Sequence, residues 1–165
     1  MDVVRANTFV SENQKFDVNN TKVTVIGGHA GTTILPLLSQ VPGAKFTDAD
    51  IDALTHRIQF GGDEVVKAKD GSGSATLSMA YAGQVFTSRL LAAMGGEKNV
   101  VECTFVENNL TAAPFFSTPV RLGPNGVEEV LPFGKLSAFE QKGLDAMLPD
   151  LIAQAKKGVD FVKNA

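Results

Sequence analysis

The sequence predicts an α+β fold, with long helices packed on a small antiparallel sheet. Two observations carry this reading. Helical stretches occupy both ends and the middle of the chain, two of them with clear start signals, and short β-branched runs bounded by Gly, Pro and Asn lie close enough in sequence to pair as antiparallel neighbours. The 165 residues fit one domain, and 44% of them are hydrophobic, enough to bury a core.

Taken in order, Val3, Val4, Phe9 and Val10 start a helical pattern at once, with no capping signal before them, as if the chain were entered mid-helix. A polar stretch, Asn13 to Thr21, leads to the strand-like run Val23-Thr24-Val25-Ile26 and then to Gly27-Gly28-His29-Ala30-Gly31, a loop whose glycines permit backbone angles that other residues resist. Thr47-Asp48-Ala49-Asp50 reads as an N-cap with first-turn acids. The helix behind it carries Ile51, Leu54 and Ile58 at helical spacing, and Gly61-Gly62 predicts a kink or break. Ala75 to Met94 holds good helix formers with Arg89 as its one charge, so it is expected to be mostly buried. Val100 to Val106 and Phe115 to Leu122 read as strands. Gly123-Pro124-Asn125-Gly126 marks a turn into a third, Val127 to Leu131, and Ser137-Ala138-Phe139-Glu140 is a capping box opening an amphipathic final helix.

Composition excludes several classes of function. A net charge of −3 without Lys/Arg clusters lacks the electrostatic footprint of a nucleic-acid binder. One cysteine, Cys103, makes neither a disulfide framework nor a zinc-thiolate site, so no metal is expected and a reducing compartment is favoured. No apolar run is long enough to cross a bilayer and the start is unlike a targeting peptide, so the chain reads as soluble, with no membrane partner.

The chemistry centres on His29. An imidazole in a glycine-rich loop after a strand suits general acid–base work, yet a turn histidine bonded to a nearby carbonyl is an equal alternative from the residues alone. Asp2 and Arg5, three apart, share a helix face. They make either a surface ion pair or, if that face meets His29, a device in which the carboxylate fixes the imidazole while the guanidinium receives an acid substrate. His56, inside a predicted helix, is given no role. The glycines of 70–74 lack the follow-up residues of a phosphate loop.

Three strings, Asp2-Val3-Val4-Arg5-Ala6-Asn7-Thr8-Phe9, Val25-Ile26-Gly27-Gly28-His29-Ala30-Gly31 and Gly73-Ser74-Ala75-Thr76-Leu77-Ser78-Met79-Ala80-Tyr81-Ala82, resemble malate dehydrogenase of the mitochondrial and bacterial type. The likeness continues through Val100 to Val106 and Phe116-Ser117-Thr118-Pro119 to the last helix. It implies that residues 1–165 are the C-terminal catalytic and substrate-binding domain, and that the N-terminal Rossmann domain, which would hold most of the NAD, lies outside this chain. It further implies His29 as proton acceptor, Asp2 as its orienting carboxylate, Arg5 as the ligand of a substrate carboxylate and Met79 as a cofactor contact. Malate and oxaloacetate are the implied substrates and a homodimer the implied full-length enzyme. The implied compartment is mitochondrial, or else glycosomal or the bacterial cytoplasm. Without its nucleotide-binding half the chain is expected to be inactive. The alternatives are a lactate-type 2-hydroxy acid dehydrogenase and a non-catalytic dicarboxylate-binding module.

Overall fold

A computed structural model of the chain describes residues 1–164. Its elements are α1 (Asp2–Gln14), β1 (Val25–Gly27), β2 (Ile34–Pro36), α2 (Asp48–Ala68), α3 (Leu77–Met94), β3 (Val100–Glu107), β4 (Phe115–Gly123), β5 (Gly126–Val130) and α4 (Ala138–Lys163), with single 3₁₀ turns at Gly31–Thr33 and Leu38–Gln40. All strand pairs are antiparallel, as the sequence predicts. β4 is the hub: β3 pairs with it from Phe115 to Leu122, while β1 meets it at Ser117 and β5 takes the stretch from Val120 onward.

Three packing layers hold the helices to this sheet. α1 and α2 close over β1 and β2 through Ala6, Val10, Val23, Val25, Leu54 and Ile58. α4 covers the other side through Leu144, Met147 and Leu151 against Ile26, Leu35 and Phe116. α3 lies on β3 and β4 through Ala93 against Val100, Val120 and Leu122.

Both predicted caps are present. Thr47 Oγ1 accepts from Asp50 N while the Asp50 carboxylate accepts from Thr47 N, and Ser137 and Glu140 do the same for α4. Glu140 does more than cap. Its carboxylate is buried and accepts from Ser39 N at 2.9 Å and Ser39 Oγ at 2.6 Å, so the start of α4 is tied to the turn after β2. Glu140→Ala removes the cap acceptor and both bonds to Ser39, which is itself exposed, and we expect it to cost about 1–3 kcal/mol in urea unfolding of the chain. A loss below ~0.5 kcal/mol would show that water replaces the carboxylate.

Two expectations fail. α2 runs unbroken through Gly61-Gly62, so the expected break is absent, and the glycine serves a neighbour instead: a Cβ on Gly61 would stand 2.9 Å from Arg5 Cδ and 3.0 Å from Arg5 Nε. α3 is a helix but not a buried one. Only Ala82 and Ala93 are buried in it, while Leu77 is 85% exposed and Leu91 60%. One stripe of α3 faces the sheet, and nothing among the described residues covers the rest.

Candidate active site

His29 stands at the end of the β1–β2 hairpin. The ladder pairs Gly27 with Ile34, and the chain between them bows out as a six-residue loop whose second residue is the histidine. The approach is tight enough to demand glycine. Gly27 has φ +99°, and a Cβ there would press into the Thr33 carbonyl. One on Gly28 would lie 2.6 Å from Thr33 Oγ1 and 3.0 Å from Leu151 Cδ1.

α1 delivers Asp2 and Arg5 to the same place. Its buried residues Ala6 and Val10 seat it on Val23 and Val25, which sets Asp2, in the first turn of α1, beside the hairpin loop. Asp2 Oδ2 lies 2.5 Å from His29 Nδ1, and Asp2 Oδ1 lies 3.4 Å from Arg5 Nη1. One carboxylate therefore touches both partners, as the sequence's device reading requires. The Asp2 and Arg5 side chains are 12% and 13% exposed, whereas the imidazole is 72% exposed.

The electrostatics follow from this geometry. An ionised carboxylate only accepts, so Nδ1 carries a proton and, in the neutral ring, Nε2 holds the lone pair toward solvent. The hydrogen bond that Nδ1–H donates to Asp2 raises the His29 pKa above its ordinary value. Partial burial opposes it, the Asp2 charge adds to it, and the N-terminal ammonium and Arg5 work against it.

α2 fixes the remaining geometry through two successive residues. Arg5 Nη1 donates to the Ile58 carbonyl at 3.0 Å, and Gln59 Nε2 donates to the Ile34 carbonyl at 2.9 Å. The first bond aims the guanidinium and the second fixes β2, so one turn of α2 sets the separation between the cation and the histidine loop. Among the described residues Nη2 and Nε of Arg5 make no hydrogen bond, which leaves donors for a planar carboxylate.

The structure brings Asp2, Arg5 and His29 together, a juxtaposition that the residues alone leave as one of two readings, and it adds Ile58, Gln59 and Thr33, which sequence reasoning missed. Ile58 acts through its carbonyl, Gln59 through its side-chain amide on the Ile34 carbonyl and Thr33 through loop bonds, none of which leaves a motif. Met79 is not brought to the other three: it is half-exposed on the first turn of α3 and belongs to none of the packing clusters. His56 is exposed and leans on Phe60 at a ring separation of 4.8 Å. Cys103 is a free thiol in β3 whose burial pushes its pKa up, which suits a structural role. Among the described residues no group of three or more His, Cys, Asp or Glu gathers as a metal site, and no helix is long and apolar enough to cross a membrane.

A histidine bound to a carboxylate, beside an arginine with unused donors, is a set of groups that can exchange a proton and receive an anion. The family profile described as lactate/malate dehydrogenase, alpha/beta C-terminal domain, matches residues 1–162, and the chain belongs to that family. Curated relatives carry the name malate dehydrogenase. Those of Pseudoalteromonas atlantica and Shewanella pealeana are 58% and 56% identical over 99% of this chain. The chain spans about half the length of these relatives, 52% in each case. They are bacterial, so the mitochondrial expectation gains no support. The fold recurs in the lactate dehydrogenase of Cryptosporidium parvum solved with lactic acid and nicotinamide adenine dinucleotide (TM-score 0.78, 24% identity, 96% of this chain and 52% of that one). It recurs too in the apo malate dehydrogenase of Picrophilus torridus (TM-score 0.73, 22% identity, 99% of this chain and 53% of that one).

Proposed function

We propose that this chain is the substrate-binding domain of an NAD-dependent malate dehydrogenase that interconverts malate and oxaloacetate. The observation that carries the proposal is the Asp2 carboxylate shared between His29 Nδ1 and Arg5. It orients a proton carrier and a carboxylate receptor as one unit.

In the oxidation direction Arg5 holds a substrate carboxylate, and His29, neutral with Nδ1–H on Asp2, takes the hydroxyl proton on Nε2. As the proton leaves, the C2–H bond breaks and its electron pair departs as hydride, so the C2 alcohol becomes a ketone and the ring becomes imidazolium. Asp2 stabilises that cation without taking its proton. NAD, when bound, supplies the acceptor for the hydride. Reduction runs the same steps backward and starts from protonated His29.

The chain's own provision for the cofactor is small. Met79 and its exposed neighbour Leu77 offer an apolar surface that suits a flat ring. The glycines of the 70–74 segment join two helices rather than a strand and a helix, which is the wrong setting for a dinucleotide phosphate loop. We assign most nucleotide contacts to the part of the enzyme that the relatives have in addition. The isolated chain is accordingly expected to turn over neither substrate. The compartment that accords with the bacterial relatives is the bacterial cytoplasm, and the apolar outer face of α3 supports a homodimer for the whole enzyme.

The test is a chimera joining the additional, nucleotide-binding half of the Pseudoalteromonas atlantica enzyme to this chain. Oxaloacetate-dependent NADH oxidation by the chimera, with none by the chain alone, is the expected result. A folded chimera inactive with oxaloacetate and malate would overturn the assignment. Turnover of pyruvate in its place would move it to a lactate-type enzyme.

A further inference from the structure

Thr33 carries none of the chemistry, yet the backbone on both sides of His29 ends on it. Gly28 N donates to the Thr33 carbonyl at 2.8 Å, and Ala30 N donates to Thr33 Oγ1 at 3.1 Å. That hydroxyl in turn donates to the Ala30 carbonyl at 2.8 Å, which also accepts from Thr33 N at 3.0 Å. Four hydrogen bonds thus run from the residues before and after His29 to one residue that is 2% exposed. The ring they support has little else. It is mostly in solvent and has one side-chain partner, Asp2. A largely solvated side chain keeps its position only if its Cα is held, so the precision of the Asp2–His29 contact must come from the loop.

We infer that Thr33 is the positioning residue of the proton carrier, its hydroxyl and carbonyl closing the loop into a ring that aims His29 at Asp2. The inference rests on the reading of His29 as the proton carrier. It also explains why two glycines precede the histidine: the Thr33 carbonyl and hydroxyl occupy the places where the β-carbons of residues 27 and 28 would be. Thr33 is in turn well anchored, because the next residue opens β2 and its carbonyl is held by Gln59. Arg5 is fixed separately, through Ile58, so loosening the loop should disturb proton transfer more than substrate binding.

The experiment is a proton NMR titration of the two histidines in the 165-residue chain. The groups facing His29 are Asp2, Arg5 and the N-terminal ammonium, and His56 is the internal control. Thr33→Val keeps the shape and removes the hydroxyl. Two of the four bonds are backbone bonds and remain, so it is expected to lower the His29 midpoint part of the way toward that of an unpaired imidazole while His56 and the amide spectrum stay as they were, and Thr33→Ser is expected to restore it. A folded T33V whose His29 midpoint coincides with the parent's overturns the inference. Should T33V fail to fold, Thr33→Ser and Thr33→Ala serve: they lose the same methyl and differ only in the hydroxyl, and equal His29 midpoints in the two overturn it as well. In the chimera, T33V is expected to lower kcat about tenfold to a hundredfold with KM nearly unchanged. An equal rise in KM with kcat intact would count against a positioning role. The titration reads the ring without turnover, so a wrong assignment of the reaction and a wrong assignment of Thr33 give different results.

Discussion

His29→Asn in the chimera is expected to lower kcat by about a thousandfold or more in both directions, since a positioned acid–base group typically contributes 10²–10⁴-fold. Asparagine can still donate an amide hydrogen to Asp2, so the loop and the carboxylate keep their partner and only the titrating nitrogen is lost. The pH profile separates this from a folding defect. In the parent, the Asp2 contact raises the pKa of His29. Oxaloacetate reduction, which needs imidazolium, is therefore complete below that pKa and falls as pH rises through it. Malate oxidation, which needs the neutral ring, rises across the same interval. Both limbs should vanish in the variant. A variant within tenfold of the parent that keeps either limb would remove His29 from the mechanism.

The physics of local structure made most of the fold legible. Turn residues at 123–126 and alternating β-branched runs marked β3 to β5, and the Thr47 and Ser137 caps marked the starts of α2 and α4, because those signals act over a few residues. Asp2 and Arg5 could be placed on one face for the same reason. Their meeting with His29, 27 residues beyond Asp2, is a tertiary fact. It depends on Ala6 and Val10 packing against Val23 and Val25, and spacing alone left it open.

The failures share a cause. Gly61 was read as a weakness of its own helix, whereas its absent side chain makes space for Arg5. Glu140 was legible as a cap, but its second partner, Ser39, lies 101 residues away. The apolar run of α3 was read as burial. Its composition fits a buried helix, yet among the described residues nothing covers its outer face. Thr33 lies in a Thr-Thr pair that carries no motif, and its four bonds exist only once the hairpin closes.

Asp2→Asn carries the second large effect, because it changes both the charge and the tautomer of the ring. In the parent, the hydrogen bond and the charge of Asp2 raise the His29 pKa, while partial burial and Arg5 lower it. With the carboxylate gone the lowering influences remain, so the midpoint falls and the reduction limb moves to lower pH. At neutral pH less of the ring is protonated and oxaloacetate reduction slows. Oxidation slows too, and raising the pH does not rescue it: an amide that donates to Nδ1 places the ring's proton on Nε2, where the hydroxyl proton has to arrive. We expect kcat to drop about a hundredfold to ten-thousandfold, by analogy with carboxylate-to-amide changes at other histidine sites. KM for oxaloacetate should move far less. Arg5 keeps its bond to the Ile58 carbonyl, and its contact with Asp2 is a long one at 3.4 Å. Steady-state kinetics of the chimera across pH measures all three quantities. A rise in KM with kcat preserved would recast Asp2 as a partner of Arg5 alone, and an unmoved reduction limb would show that the carboxylate does not set the charge of the ring.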